Sequence, residues 1–217
     1  METALQLASA DWQVIATARP TSFAEMANAT SFANSPWIQC LPLDVTDPDS
    51  IEAALETLKK HTSRLDLLIN NAGIFLDHDE SILGVDTAKI LDTFTTNTLG
   101  PIQLTQALVP LLEAAPDALV MNLSSAAGCL TEMKDWSPAY SISKTALNAA
   151  TRQLAAALLP KGISVCAVSP GWVRTDMGGP KAPRSIHEGA QSLLALLTKP
   201  PKELAGRFLR EGQDHPW

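Results

Sequence analysis

Leu65-Asp66-Leu67-Leu68-Ile69-Asn70-Asn71-Ala72-Gly73 is the stretch on which the fold turns. Residues 65–70 read as a short, continuously apolar strand, and the small residues after it let backbone approach a ligand closely. The pattern recurs downstream. Residues 118–123 run into Ser124-Ser125-Ala126-Ala127-Gly128, and 163–168 into Ser169-Pro170-Gly171-Trp172-Val173-Arg174-Thr175. Upstream, 11–19 reads as a buried strand ended by Pro20, and 37–45 as another that closes on Leu43-Asp44-Val45-Thr46-Asp47-Pro48. A weak helical pattern covers 1–10 and a polar helix and loop cover 21–35. Further helices are predicted at 49–61, with Asp47 or Asp49 as N-cap, and at 87–114, 146–159 and 185–198. A last short strand is predicted at 206–209. Apolar strands alternating with helices define a doubly wound α/β fold, a parallel sheet covered on both faces.

Bulk properties narrow the function. A length of 217 residues fits a single domain, 1–217, with a sizeable core. The net charge of −7 and the absence of any Lys/Arg cluster argue against a nucleic-acid surface. The first basic residue is Arg19 and Asp11 interrupts the early apolar residues, so no signal peptide is visible. No run approaches the ~18–20 apolar residues that span a bilayer. Cys40, Cys129 and Cys166 are odd in number and lack CxxC spacing, which suits reduced thiols in a cytoplasmic protein. The four histidines are scattered, which gives no support to a metal site.

In such sheets ligands bind beyond the carboxyl ends of the strands, where the small-residue turns lie. Each turn alone could be only a tight strand-to-helix connection. Tyr140-Ser141-Ile142-Ser143-Lys144 adds chemistry to them. Residues four apart share one face of a helix, so Tyr140 and Lys144 are expected side by side. A neighbouring cation favours phenolate, so Lys144 is expected to lower the Tyr140 pKa and make the phenol a general acid for a carbonyl oxygen. Tyr140 is the only tyrosine in the chain.

Asn70-Asn71-Ala72-Gly73, Ser125, Tyr140 with Lys144, and Pro170-Gly171-Trp172-Val173-Arg174-Thr175 stand in the order found in short-chain dehydrogenases/reductases. The chain resembles that family from about residue 1 to its end. Residues 170–180 and 206–217 are more similar still to the C-factor-like and sniffer-type carbonyl reductases. The resemblance implies a Rossmann-like sheet and an NAD(P)-dependent oxidoreductase of carbonyl reductase or alcohol dehydrogenase type. It implies Tyr140 as the acid, Lys144 as the group that tunes it and holds the nicotinamide ribose, and Ser125 as donor to the reacting oxygen. Ser125 is preferred to Ser124 because the family serine stands three places after the residue matched by Asn122. The 15 residues from Ser125 to Tyr140 slightly exceed the common family spacing. Asn97 matches the asparagine that supports a proton-relay water, or is a helix asparagine bonded locally.

On the cofactor side, the resemblance places Asp44 and Val45 at adenine and Asn71, Ala72 and Gly73 beside the adenosine ribose. Pro170, Gly171, Val173 and Thr175 would grip the carboxamide. Arg19 stands where NAD-preferring relatives carry an acid, and an arginine there pairs with a 2′-phosphate, so NADP is expected over NAD. The partners expected are a small carbonyl or alcohol substrate and, by family analogy, further copies in a homodimer or homotetramer, through helices 87–114 and 140–159.

One departure is large. The family opens with a strand and a glycine-rich turn that cradles the pyrophosphate, whereas this chain has no glycine before Gly73. In the order 3-2-1-4-5-6 that strand is central. Without it, strands 12–18 and 65–70 are expected to face each other unpaired or to close up, with weak dinucleotide binding and low stability. An upstream extension of roughly 13 residues is expected to restore both. The alternative function is a cofactor-poor pseudoenzyme used for binding or signalling. A Ser-Lys acyl-transfer reading of Ser141 and Lys144 lacks the SDN and KTG partners of that chemistry.

Overall fold

A computed structural model covering residues 1–217 alternates strands and helices along the chain. Helix α1 (Glu2–Ser9) leads into β1 (Val14–Ala18), followed by α2 (Pro20–Asn28), α3 (Thr30–Ala33), β2 (Ile38–Pro42) and α4 (Pro48–Leu58). Strand β3 (Leu67–Asn70) precedes α5 (Thr87–Phe94), a π turn (Thr95–Leu99) and α6 (Gly100–Glu113). Strand β4 (Ala118–Leu123), α7 (Pro138–Leu158), β5 (Ile163–Ser169), α8 (Ile186–Leu194) and α9 (Pro201–Leu204) come next. A hairpin of β6 (Phe208–Arg210) and β7 (Gln213–Asp214) ends the chain. No helix is long and apolar enough to cross a membrane.

The expected α/β class is present, with strands shorter than the apolar runs. Asp11 takes a left-handed φ of 62°, so the chain turns before β1 begins. Asp47 is the cap of α4, its carboxylate accepting from Asp49 N at 3.0 Å. The helix carrying Tyr140 starts at Pro138, because proline fits the first helical position, where an N–H has no partner anyway. The sequence reading missed β7. Gln213 and Asp214 are exposed and polar, and their pairing is set by the Glu211-Gly212 turn, whose φ values are 52° and 83°.

The strands form two sheets rather than one. β1 and β2 pair in parallel from Val14↔Ile38 to Ala18↔Pro42. The other sheet runs β3-β4-β5-β6-β7, parallel except for its terminal hairpin. Its faces bury separate cores. Leu68, Val120 and Val165 meet Leu58, Leu108, Leu112 and Leu158 on one side, while Met121, Cys166 and Val168 meet Leu193, Leu196 and Leu204 on the other.

Between β1 and β3 lies a cavity of about 530 Å³. Its walls include Ala4 and Leu7 of α1, and Leu55, Leu58, Leu104 and Leu108 of α4 and α6. Backbone direction alternates along a strand, which fixes what the edges present. Val14 N donates to Trp37 O and Ala18 O accepts from Leu43 N, both at 2.8 Å, so Val14, Ala16 and Ala18 address β2. The peptide groups of Ile15 and Thr17 therefore point into the cavity. Leu119 N donates to Asp66 O at 3.0 Å, so Leu68 addresses β4 and the peptides of Leu67 and Ile69 point back at β1.

The two strands have not closed up. Helix α1 packs on α8, where the His187 ring lies 2.9 Å from Glu2 Oε1 and 3.0 Å from Gln6 Nε2. Amide exchange checks the arrangement. Ile15, Thr17, Leu67 and Ile69 should exchange at least about tenfold faster than Ala16 and Leu68, whose amides are bonded within a ladder. Equal protection along each strand would mean that the cavity edges are already paired.

Candidate active site

Buried amides fix the ends of β3 and β4. Asn70 Nδ2 donates to Asn122 Oδ1 at 2.8 Å and to Thr105 Oγ1 of α6 at 3.1 Å. Asn122 Nδ2 donates to Thr151 Oγ1 of α7 at 2.8 Å, and Thr151 Oγ1 in turn donates to Leu147 O at 2.8 Å. Each of these side chains is buried, so each bond replaces one to water and the chain is satisfied throughout. The turns after the two strands are thereby held against α6 and α7.

The start of α7 is gripped from outside the helix. Ser137, in a left-handed conformation, makes no side-chain cap. Asp77 supplies one instead, accepting from Ala139 N at 2.6 Å and Tyr140 N at 3.3 Å while fully buried. A carboxylate at a helix N-terminus meets both unsatisfied N–H groups and the positive end of the dipole. The Phe75 ring stacks on Tyr140 at 4.7 Å. The sequence reading missed Asp77 and Phe75, because nothing local links residues 75–77 to 139–140.

Tyr140 is half-buried and Lys144 is buried on the next turn. Lys144 Nζ donates to Leu123 O at 2.7 Å and lies 5.6 Å from the Tyr140 ring centre. Burial lowers the ammonium pKa to about 8. Burial likewise raises the Tyr140 pKa, and the hydrogen bond with Ser125 only opposes that shift. The expectation of a phenol acidified by Lys144 is therefore corrected for the free protein: the ammonium is aimed at the end of β4, and desolvation dominates.

Ser124 and Ser125 have different employments. Ser124 Oγ is buried and bonded to Asn148 Oδ1 at 2.6 Å, whereas Ser125 is half-buried, accepts from Ala127 N at 3.2 Å and reaches Tyr140. The long connection to Tyr140 is taken up by two 3₁₀ turns and by Asp135, which accepts from Ser81 Oγ at 2.9 Å. Asn97 sits fully buried in the π turn, a form that often marks functional sites. Its amide clamps Ile74 through both backbone atoms, at 2.8 and 2.9 Å, and donates to Ser143 Oγ at 3.0 Å.

The residues expected to touch a dinucleotide lie at the carboxyl ends of β1, β2, β3 and β5. A Cβ on Gly73 would come within 3.3 Å of Asn97 Oδ1 and 3.6 Å of Lys144 Nζ, so Asn71-Ala72-Gly73 runs close against the site. Asp44 accepts from Thr46 N and Oγ1, which with exposed Arg19 nearby holds its carboxyl below the usual range. Val45 packs under Gly100, where a Cβ would sit 2.7 Å from its Cγ2. Pro170 leads into Gly171, whose φ of 81° suits glycine, and Val173 pairs with Arg184, which binds Glu211 at 2.5 Å. Thr175 is exposed. Arg19 and Asp44 follow β1 and β2 of the two-stranded sheet, whereas Tyr140 starts a helix packed on the other sheet.

These residues fit the two ends of a dinucleotide. Arg19 is exposed, and Lys144 shows one hydrogen bond where an ammonium can donate three.

Comparison with known proteins places the fold. The family model for short chain dehydrogenases matches residues 1–185. The chain belongs to that family, whose members are NAD(P)-dependent oxidoreductases. It is 38% identical over 159 residues to the C-signal protein of Myxococcus xanthus, covering 72% of this chain and 95% of that one. The NADPH-bound carbonyl reductase from chicken fatty liver superposes with a TM-score of 0.86 at 30% identity, over 100% of this chain and 96% of that one. The carbonyl reductase Sniffer of D. melanogaster gives 0.86 at 28% identity, over 99% and 94%.

Two outcomes follow from the geometry. Asp77→Ala strands two buried N–H groups and should cost about 2–4 kcal/mol in urea unfolding, while Asp77→Asn, which keeps an acceptor, should cost less. Equal losses would show that the carboxylate does not cap α7. For Lys144 the folded pKa lies near 8, below the ordinary 10.5. The unfolded chain thus binds more protons between those values, and the destabilising effect of Lys144 is full below pH 8 and relieved as pH rises towards 10.5. The stability of the native protein relative to Lys144→Met should therefore rise over that window. A constant difference would place the ammonium in water.

Proposed function

We propose that this chain is an NADP-dependent carbonyl reductase or alcohol dehydrogenase in which Tyr140 is the general acid. The observation that carries the reading is the meeting of the Tyr140 and Ser125 hydroxyls at the end of β4, with buried Lys144 beside them. A phenol whose pKa is raised by burial stays protonated at neutral pH, which suits donation to a carbonyl oxygen. Ser125 gives that oxygen a second donor as negative charge develops on it. Lys144 stabilises the phenolate that remains. Bound NADPH supplies the hydride for the carbonyl carbon. Asn97 orders the floor of the site through Ile74 and Ser143.

Arg19 favours NADP through a charge-assisted bond to a 2′-phosphate, and the superposed chicken enzyme is the NADPH-bound form. The exposed apolar side chains Leu91, Leu99 and Ile142 on α5, the π turn and α7 support assembly as a homodimer or homotetramer. The three free cysteines suit a reducing, cytoplasmic setting. A second reading, a cofactor-poor binding protein, is favoured by the cavity that parts the two ends of the dinucleotide site.

The test is NADPH oxidation with a panel of small aldehydes and ketones, alongside calorimetric titration of NADPH. Tyr140→Phe should lower kcat by about 10²-fold or more while leaving NADPH affinity intact. Near-full turnover by that variant removes Tyr140 from the acid role. Arg19→Asp should weaken NADPH selectively over NADH. A chain that fails to bind NADPH at all favours the second reading.

A further inference from the structure

The geometry points to a zinc site made by Cys129, Glu132 and His215, at the far end of the loop that begins with Ser125. One ligand atom from each of these residues lies within 4.8 Å of the others. The sequence reading found no metal spacing because His215 arrives from the terminal hairpin, remote from the other two in the chain.

The histidine is built rather than incidental. Its backbone N donates to Phe208 O at 2.9 Å, and its ring packs edge-on against the buried Phe208 ring at 5.1 Å. The side chain is only 10% exposed, yet the buried Nε2 has no hydrogen-bond partner. Glu132 Oε2 is the nearest carboxylate oxygen, at 3.7 Å, too far for a hydrogen bond. That separation suits two ligands of one ion: metal–nitrogen and metal–oxygen bonds of about 2.0 Å at a tetrahedral angle put the ligand atoms about 3.3 Å apart. Cys129 is fully buried, so its sulfur is held from below while the exposed Glu132 closes the site from outside.

The donor set selects the metal. A thiolate and an imidazole choose zinc over magnesium or calcium, which take oxygen ligands. Thiolate and carboxylate together cancel the ion's two charges, which offsets the approach of Arg210, 4.0 Å from Glu132. Thr131 Oγ1 and Trp217 O lie 3.2 and 3.5 Å from Cys129 Sγ, and water can take the fourth position. On binding, the Cys129 thiol loses its proton to solvent and a sulfur–metal bond replaces the S–H bond, with no change of oxidation state. The ion would staple the terminal hairpin to the loop whose Gly128, next to Cys129, accepts bonds from Thr145 and Asn148 of α7.

Titration of Zn²⁺ into chelator-treated full-length protein, in competition with a chromophoric chelator, tests the site. One equivalent should bind at micromolar concentration or tighter, with affinity falling at low pH as protons compete for the ligands. Co²⁺ should give a thiolate-to-cobalt absorption band in the near ultraviolet. Cys129→Ser should abolish that band, and His215→Gln should weaken Zn²⁺ by at least tenfold, whereas Cys40→Ser should change neither. His215 lies on the terminal hairpin, so its variant decides the matter even where loss of the buried Cys129 harms folding. Substoichiometric binding at tens of micromolar Zn²⁺, a band that survives Cys129→Ser in a folded protein, or indifference to His215→Gln overturns the proposal. None of these readouts depends on catalysis.

Discussion

The hydrogen bond between Asn70 and Asn122 governs what the rest of the site can be. Both amides are buried at the ends of neighbouring strands, where a one-residue slip would leave two polar side chains unpaired in an apolar core. Register is therefore set by desolvation cost as well as by hydrophobic pattern. Thr105 and Thr151 extend the constraint to the helices on that face. The turns that carry Gly73 and Ser125, and the helix that carries Tyr140, are held by one buried polar chain.

Burial also shapes the electrostatics. Tyr140 and Lys144 are both driven towards their neutral forms, the phenol by a raised pKa and the ammonium by a lowered one. Two groups that would attract each other if charged are instead disfavoured as ions by the same loss of water. Asp77 adds a negative charge at the start of the same helix, spent on backbone N–H groups. The site thus holds much of its charge in hydrogen bonds to main chain.

Much of this was legible in the sequence. The apolar runs at 118–123 and 163–168 are strands because both faces are covered, and continuous apolarity reports that directly. The i, i+4 spacing of Tyr140 and Lys144 placed them on one face, and the employment of Ser124 by Asn148 explains why Ser125 is the serine that reaches Tyr140. What was hidden was the direction of buried groups. Spacing could not reveal that the Lys144 ammonium points to Leu123 O, nor that Asp77 caps a helix sixty residues on. The separation of β1 from β3 is accompanied by the packing of α1 on α8, which no local pattern in the sequence announces.

That packing has a consequence for recognition. Arg19 follows β1 and Lys144 sits on the helix packed against the other sheet, and the two sheets share no ladder, so the separation of these side chains is relayed through helices rather than strands. The Glu2–His187 contact, far from any reacting atom, is one of the contacts in that relay.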